Sequence, residues 1–517
     1  MTTDASEPIR DAARARSRPG RPIADPRDTP RRDTPIGALE TSGQQSLPIA
    51  APDTGSVAAT DATASPDNGA PPGDAGHPAA PDAAETRRRS WLDLGWWLAI
   101  AAVGLAVTAV AVQSGAGLGT ASAPFLGAYR IKVDPLTLLA PAVAALIIAV
   151  GMTGVFARFG WRVVVTLSYL AGLAWALALA FADGLSGLTR SLRSSMNYAP
   201  DIAAIERDPL RYIAHYTADL ESHTFAARGH PPGSVVLLWA IERVGVTNLV
   251  TLGALITALG VATVPLVLYV VRDVCGEPTA RHYAPVLILA PYAIWVAVSM
   301  DGVVAALGAL AVAAGVHASG RARPGRPAAT WSVLAGVLIG VAGMFAYSVV
   351  WLGLSVVLLY FARRRPLLNI GTGLGALVPV VVANQFGFNW LAGLAAAGYD
   401  FEIRIEPHRS AVWWSGISLV ALVLACGPAL YASARKIRNT PAWPFLVGAA
   451  IAVVFSLVTA QARGGAEAAW LPFFPWLTIA ALAPARPAGT APPVPWPVVA
   501  GGALTAVIIE AVLSTPW

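Results

Sequence analysis

The stretch Ala226-Ala227-Arg228-Gly229-His230-Pro231-Pro232-Gly233, followed at once by an apolar run over 234–240, closes a polar segment spanning 183–232. Long hydrophobic runs flank that segment on both sides. Chains of this kind seldom carry so many ionisable groups between apolar runs without using them. Two consecutive prolines remove two backbone donors and fix two φ angles, so the turn is stiffly aimed at the next helix. The segment therefore reads as a working loop hung between membrane spans.

Composition agrees with that reading. Of the 517 residues, 55% are hydrophobic and only 13% charged, with a mean hydropathy of +0.58. A soluble domain is about one-quarter charged. Apolar runs recur at 94–112, 136–156, 163–181, 249–271, 283–298, 303–316, 331–361, 372–384, 410–430, 445–458, 470–482 and 498–513. The longer ones approach the ~20 residues that a helix needs to cross hydrocarbon, so the expected fold is an all-α polytopic bundle of about 11 to 13 spans. Residues 234–246 are too short and polar for an ordinary span and read as a short, broken or re-entrant helix.

Residues 1–90 contain no Phe, Trp or Tyr and are dense in Pro, Ala, Asp, Arg and Gly. Such a segment buries too little apolar surface to repay its ordering entropy and is expected to be a disordered tail, leaving 91–517 as the membrane domain. No apolar stretch near Met1 suggests a signal peptide. Arg87, Arg88 and Arg89 abut the first span, which puts the tail in the cytoplasm by the positive-inside rule. Arg158 and Arg162, Arg321 to Arg326, Arg363 to Arg365, and Arg435, Lys436 and Arg438 support the same orientation. The third span then ends outside at Asp183, and the 183–232 loop is extracytoplasmic.

Several chemistries lack any signature. Cys275 and Cys426 are isolated and offer neither ligand spacing nor a disulfide framework, so they read as packing residues. No Walker sequence and no glycine-rich loop after a strand appears, and no nucleic-acid partner is expected. No internal repeat or inverted pair of broken helices of the transporter kind is visible.

Inside the loop, Asp208-Pro209 reads as an N-cap followed by proline at the first helical position, opening a short helix over 210–220. Arg211, His215 and Asp219 then share one face, with Tyr212 and Tyr216 alongside, as on a helix lying at the membrane interface. Asp183, where the third span ends, and Asp201, after Pro200, are candidate general bases; each also reads as a structural residue, Asp183 at a helix end in interfacial water and Asp201 in a turn. Arg190, Arg193, Arg228 and His230 are the groups able to hold a departing phosphate. A second external segment, 400–409, carries five charges and His408, with Trp413 and Trp414 just beyond. It reads as an acceptor groove or as a solvated loop paired within itself.

These features, in this order, resemble the GT-C glycosyltransferases, polytopic enzymes that use polyprenyl-phosphate sugars. The large polar loop matches their first external loop. Ser299-Met300-Asp301-Gly302 before an Ala-rich span resembles an aspartate motif of the protein mannosyltransferases and aminoarabinose transferases. The glycine-rich 336–345 stretch with Tyr347-Ser348, and Trp470-Leu471-Pro472-Phe473-Phe474-Pro475-Trp476, are similar to later segments of those families. The His-Pro-Pro-Gly turn, the Asp-Gly pair and the Trp-Leu-Pro-Phe end are also similar to actinobacterial integral membrane proteins described only as glycosyltransferases. The heavy use of Ala, Gly, Pro and Arg fits GC-rich coding of that kind.

The resemblance covers roughly 92–482 and implies a sugar donor carried on polyprenyl phosphate, a glycan, lipid or protein acceptor, and a plasma-membrane location. It implies a single inverting displacement with Asp183 or Asp201 as base. Arg228, His230, Asp301, Tyr347, Arg463 and Glu467 would surround the donor, and His215, Tyr216, Arg404 and His408 the acceptor. Some members use a divalent cation, Mg²⁺ or Mn²⁺. The chain departs from the pattern in having no lysine near 336–345, Asn197 where Glu is expected, and no second basic residue within 464–469. Two other readings are a transporter or flippase of lipid-linked sugars, which would place charges inside the spans, and a non-catalytic membrane scaffold.

Overall fold

A computed structural model describes residues 83–438, 440–482 and 493–515. Most of the expected tail, residues 1–82, lies outside the described residues. The first helix begins before the anticipated boundary at 91, because Arg87, Arg88 and Arg89 already belong to it. The longer helices are α1 (Ala83–Gln113), α2 (Leu139–Met152), α3 (Trp161–Ala180), α4 (Gly233–Arg243), α5 (Leu249–Val261), α6 (Thr263–Cys275), α7 (Glu277–Ile288) and α8 (Met300–Ala318). They continue as α9 (Arg326–Gly343), α10 (Leu352–Ala362), α11 (Leu368–Gln385), α12 (Trp390–Arg404), α13 (Ala411–Cys426), α14 (Trp443–Val458) and α15 (Trp496–Val512).

The chain is an all-α, multi-pass membrane protein. Among the described residues, seven helical stretches are long and apolar enough to cross a membrane, and an eighth span arises if α12 and α13, bent by 99°, count as one. Shorter apolar helices at Tyr347–Ala362, Trp443–Val458 and Trp496–Val512 complete the set. Several apolar runs are not continuous helices: 331–361 breaks at 344–346 and 410–430 at Gly427, and two more break deep inside the protein. After α7 the chain leaves helix for a short 3-10 turn at Pro291–Trp295, and 470–482 folds as Leu471–Phe473 and Phe474–Thr478 turns. Both segments are buried in the protein, with Trp295, Trp470 and Trp476 at most 2% exposed. Irregular backbone at membrane depth is tolerated when protein rather than lipid surrounds it.

At the centre stands α8, whose sequence MDGVVAALGALAVAAGVHA is almost wholly buried. Its small residues are what let neighbours approach. A Cβ on Gly308 would lie 2.5 Å from Leu352 Cδ1, and one on Gly315 would lie 2.8 Å from Val356 Cγ1. The α9–α11 pair is closer still: a Cβ on Gly336 would lie 2.0 Å from the Thr372 carbonyl oxygen. Helix α11 is otherwise little buried, with only 11% of its apolar window covered, so this pair forms an edge of the bundle.

Side-chain bonds sort the connecting segments into two ends. At one end Arg435 pairs with Asp93, Arg281 caps the carbonyls of Phe156 and Phe159, Arg363 pairs with Asp273, and Arg365 holds Gly320 and Arg323. At the other end Arg130 meets Asp183, Leu126 meets Glu467, Arg228 meets Asp400, and Gly233 meets Met344. Among the described residues the first end carries sixteen Arg and Lys against four Asp and Glu, whereas the second carries eleven against fourteen. The expected helix α4 is present, short and half-buried, and it hangs from the second end.

Candidate functional site

The 183–232 loop is built around its own buried polar groups. Asp201 accepts from the Thr224 amide (3.0 Å to Oδ2) and from the Thr224 hydroxyl (2.9 Å), closing a 23-residue span. His223, on the preceding residue, stacks on Tyr216 with centroids 4.4 Å apart, and its Nδ1 lies 3.9 Å from Asp201 Oδ2. Burial holds the His223 imidazole below its ordinary pKa, although Asp201 opposes that shift. The Tyr216 hydroxyl donates to the carbonyls of Ala227 (2.6 Å) and His230 (3.0 Å). Tyr216 is therefore a buried strut under the His-Pro-Pro-Gly turn, 1% exposed, rather than a surface group.

Local signals acted as read. The Asp208 side chain caps the next helix by accepting from the Arg211 amide at 3.0 Å, with Pro209 at its first position. That helix ends at His215, five residues before the expected Leu220, so Asp219 lies beyond it. His215 is exposed, its Nδ1 on the Arg211 carbonyl at 3.0 Å.

The turn delivers His230 to a corner beside the start of α8. The Gly233 amide donates to the Met344 carbonyl at 2.9 Å, and any Cβ there would sit 2.4 Å from that oxygen. Glycine is required by this approach. His230 Nδ1 lies 2.8 Å from the Ala226 carbonyl, so Nδ1 carries a proton and donates it there. Tyr198 stands edge-on to His230, centroids 5.7 Å apart. The Asp301 carboxyl is within electrostatic reach of both. Ser299 caps α8 by accepting from the Asp301 amide at 3.1 Å, and its hydroxyl is 3.4 Å from Asp301 Oδ2. Beside them the Ser234 hydroxyl is buried next to the Tyr198 hydroxyl.

Arg228 flanks this corner. Its guanidinium donates to the His223 carbonyl (3.2 Å) and faces Asp400 across 3.4 Å. Asp400 lies on α12, which runs on through Arg404, so part of the 400–409 segment is helix rather than loop. Arg404 pairs with Asp400 at 2.7 Å and reaches Glu221 at 3.7 Å, while His408 is exposed. Tyr347 is held against Trp390, centroids 5.2 Å apart, over Gly393.

Asp183 sits in a separate ionic cluster. Its Oδ1 faces Arg130 (3.0 Å) and its Oδ2 faces Lys132 (2.8 Å) and Arg190 (2.6 Å), with the side chain only 2% exposed. Lys132 also pairs with Glu510 of α15. Sequence reasoning missed Arg130, Lys132 and Glu510. They come from opposite ends of the membrane domain and meet because 128–129 pairs antiparallel with 513–514. Only the rarity of lysine, two in the whole chain, was a hint.

Glu467 and Arg463 form a third group. Glu467 is wholly buried; its Oε1 accepts from the Leu126 amide at 2.9 Å and its Oε2 has no partner. Burial pushes its pKa up to about 7, against the pull of the Leu126 amide and Arg409. Arg463 pairs with Glu406 at 3.0 Å and lies 5.9 Å from the Phe401 ring. Among the described residues, no three or more His, Cys, Asp or Glu side chains gather as a cation site.

No family model matches this chain, and no curated protein matches it. Among solved structures it is similar to ArnT from Cupriavidus metallidurans in the apo state, at 16% identity and a TM-score of 0.42. That likeness covers 60% of this chain and spans 58% of the other.

Proposed function

We propose that this chain is a membrane glycosyltransferase of the GT-C type. It would take a sugar from a polyprenyl-phosphate donor and place it on an extracytoplasmic glycan, lipid or protein by one inverting displacement. The observation that carries the reading is the corner where the His-Pro-Pro-Gly turn meets the start of α8. His230 and Asp301, seventy-one residues apart in sequence, come within electrostatic reach there, with Tyr198 and the buried Ser234 hydroxyl beside them. The sorted charges supply the sidedness: the strongly basic end belongs in the cytoplasm, which turns the loop and its corner outward.

On this reading Arg228 and His230 face the leaving phosphate, where a guanidinium offers a strong charge-assisted bond. Tyr347 and Arg463 take places farther around the donor, and the wholly buried Glu467 supports that wall from within through Leu126. The exposed His215, Arg404 and His408 face the acceptor, with Tyr216 as the wall behind them. No step is routed through a divalent cation, because the side chains among the described residues do not gather for one. A donor borne on lipid fits a chain whose sequence shows no nucleotide-binding signature.

Membranes containing the protein, incubated with a labelled panel of polyprenyl-phosphate sugars, test this reading. Label passing to an extracytoplasmic acceptor, and lost on replacing Arg228 with Ala, is the expected result. Movement of intact lipid-linked sugar across the bilayer without transfer would overturn it in favour of a transporter.

A further inference from the structure

We propose that the carboxylate of Asp301 takes the proton of the attacking hydroxyl, while Asp183 and Asp201 hold structure. This rests on the glycosyl-transfer reading of the same site. A base must come within hydrogen-bond reach of the proton it removes, and its lone pairs must be free.

The loop and the start of α8 carry five aspartates; Asp208 and Asp219 are exposed, Asp208 capping its helix, and the other three differ in their surroundings. Asp183 has both oxygens engaged by three cations and a side chain 2% exposed. A hydroxyl could approach it only after those ion pairs part, and protonating it would leave the buried Lys132 with Glu510 alone. Asp201 has both oxygens on Thr224, with a side chain 8% exposed, and it ties the loop shut. Asp301 is partly exposed and meets only the Ser299 hydroxyl, at 3.4 Å on Oδ2. It lies in the first turn of α8.

The surroundings of Asp301 also suit the rest of the reaction. His230 is oriented by its Nδ1 donating to the Ala226 carbonyl, which leaves Nε2 directed away from that bond. The Ser234 hydroxyl is buried in the first turn of α4, beside the Tyr198 hydroxyl. In the step itself the acceptor oxygen forms the bond to the anomeric carbon. The bond from that carbon to the phosphate oxygen breaks, and the phosphate leaves with the electron pair as the polyprenyl phosphate. The hydroxyl proton passes to Asp301 and from there to water.

The test uses the full chain in membranes, with the donor that wild type accepts in the labelled panel. Asp301→Asn is expected to slow transfer at least ~100-fold, the usual contribution of a general base, with retention of a photoreactive polyprenyl-phosphate sugar unchanged. Formate is expected to restore part of the rate to Asp301→Gly, which a merely structural loss would not allow. Asp183→Asn and Asp201→Asn are expected to lower the melting temperature while keeping the rate per folded molecule. Full activity in Asp301→Asn overturns the proposal, as does an inactive Asp183→Asn protein with an unaltered melting temperature. If wild type transfers from no donor, the glycosyl-transfer reading itself fails.

Discussion

Glu467 shows how one residue can carry a cost that the fold accepts. Its carboxyl is wholly buried, with one oxygen bonded to Leu126 and the other to nothing. Its pKa is raised from an ordinary 4.5 to about 7, so the folded state holds a proton that the unfolded chain has released. Stability from this group is intact below the unfolded pKa and declines as pH rises through about 7. Glu467→Gln keeps an acceptor for Leu126 and removes the charge. It is expected to raise the melting temperature at pH 8 while leaving it unchanged near pH 4, the full difference being at most about 3 kcal/mol. Lys132 is the opposite case, a buried cation with two carboxylates. Lys132→Met strands Glu510 and takes one of three cations from Asp183, and is expected to cost about 3–5 kcal/mol, read as a lower denaturation midpoint in detergent. Adding Glu510→Gln is expected to recover part of that loss. Asp183 was visible in sequence as a polar residue ending a span. Its partners were not, because no local spacing joins Lys132 to residues nearly four hundred positions away.

Among the elements, the contrast lies between helices held by their own caps and helices held by neighbours. The Pro209–His215 helix has its Asp208 cap in the sequence, and Asp208→Ala is expected to cost only ~1 kcal/mol, measured by thermal denaturation. Its early end at His215 was not legible, since the Tyr216 side chain turns inward to the carbonyls beneath the His-Pro-Pro-Gly turn. Helices α9 and α11 depend on contact instead. Gly336 lies against the Thr372 carbonyl with no room for a side chain, so Gly336→Leu is expected to separate the pair. The expected readout is a fall of about 1–3 kcal/mol or more in stability, with loss of monodisperse protein on a sizing column. The apolar runs at 283–298 and 470–482 read as spans because hydrophobicity cannot distinguish a lipid-facing helix from a turn buried inside protein. In the structure other helices cover them, and the backbone is free to bend.

For the whole molecule, the division of charge between the two ends makes a topological prediction. Ser195 and Ala322 are exposed and lie at opposite ends, whereas Cys275 and Cys426 are both buried. Ser195→Cys is expected to react with an impermeant maleimide in intact cells, and Ala322→Cys only after permeabilisation. The reverse pattern would invert the sidedness on which the proposed reaction depends. Apolar runs, arginine clusters, the Asp208 cap and the His-Pro-Pro-Gly turn are local signals, and by themselves they determined a polytopic helical protein with one large polar loop. Which carboxylates are locked and which is free was decided only by tertiary structure. Strand pairing between 128–129 and 513–514 brings Lys132 to Asp183, and the turn at Gly233 brings His230 to Asp301. Electrostatic environment depends on neighbours in space, and a sequence specifies those neighbours only through the completed fold.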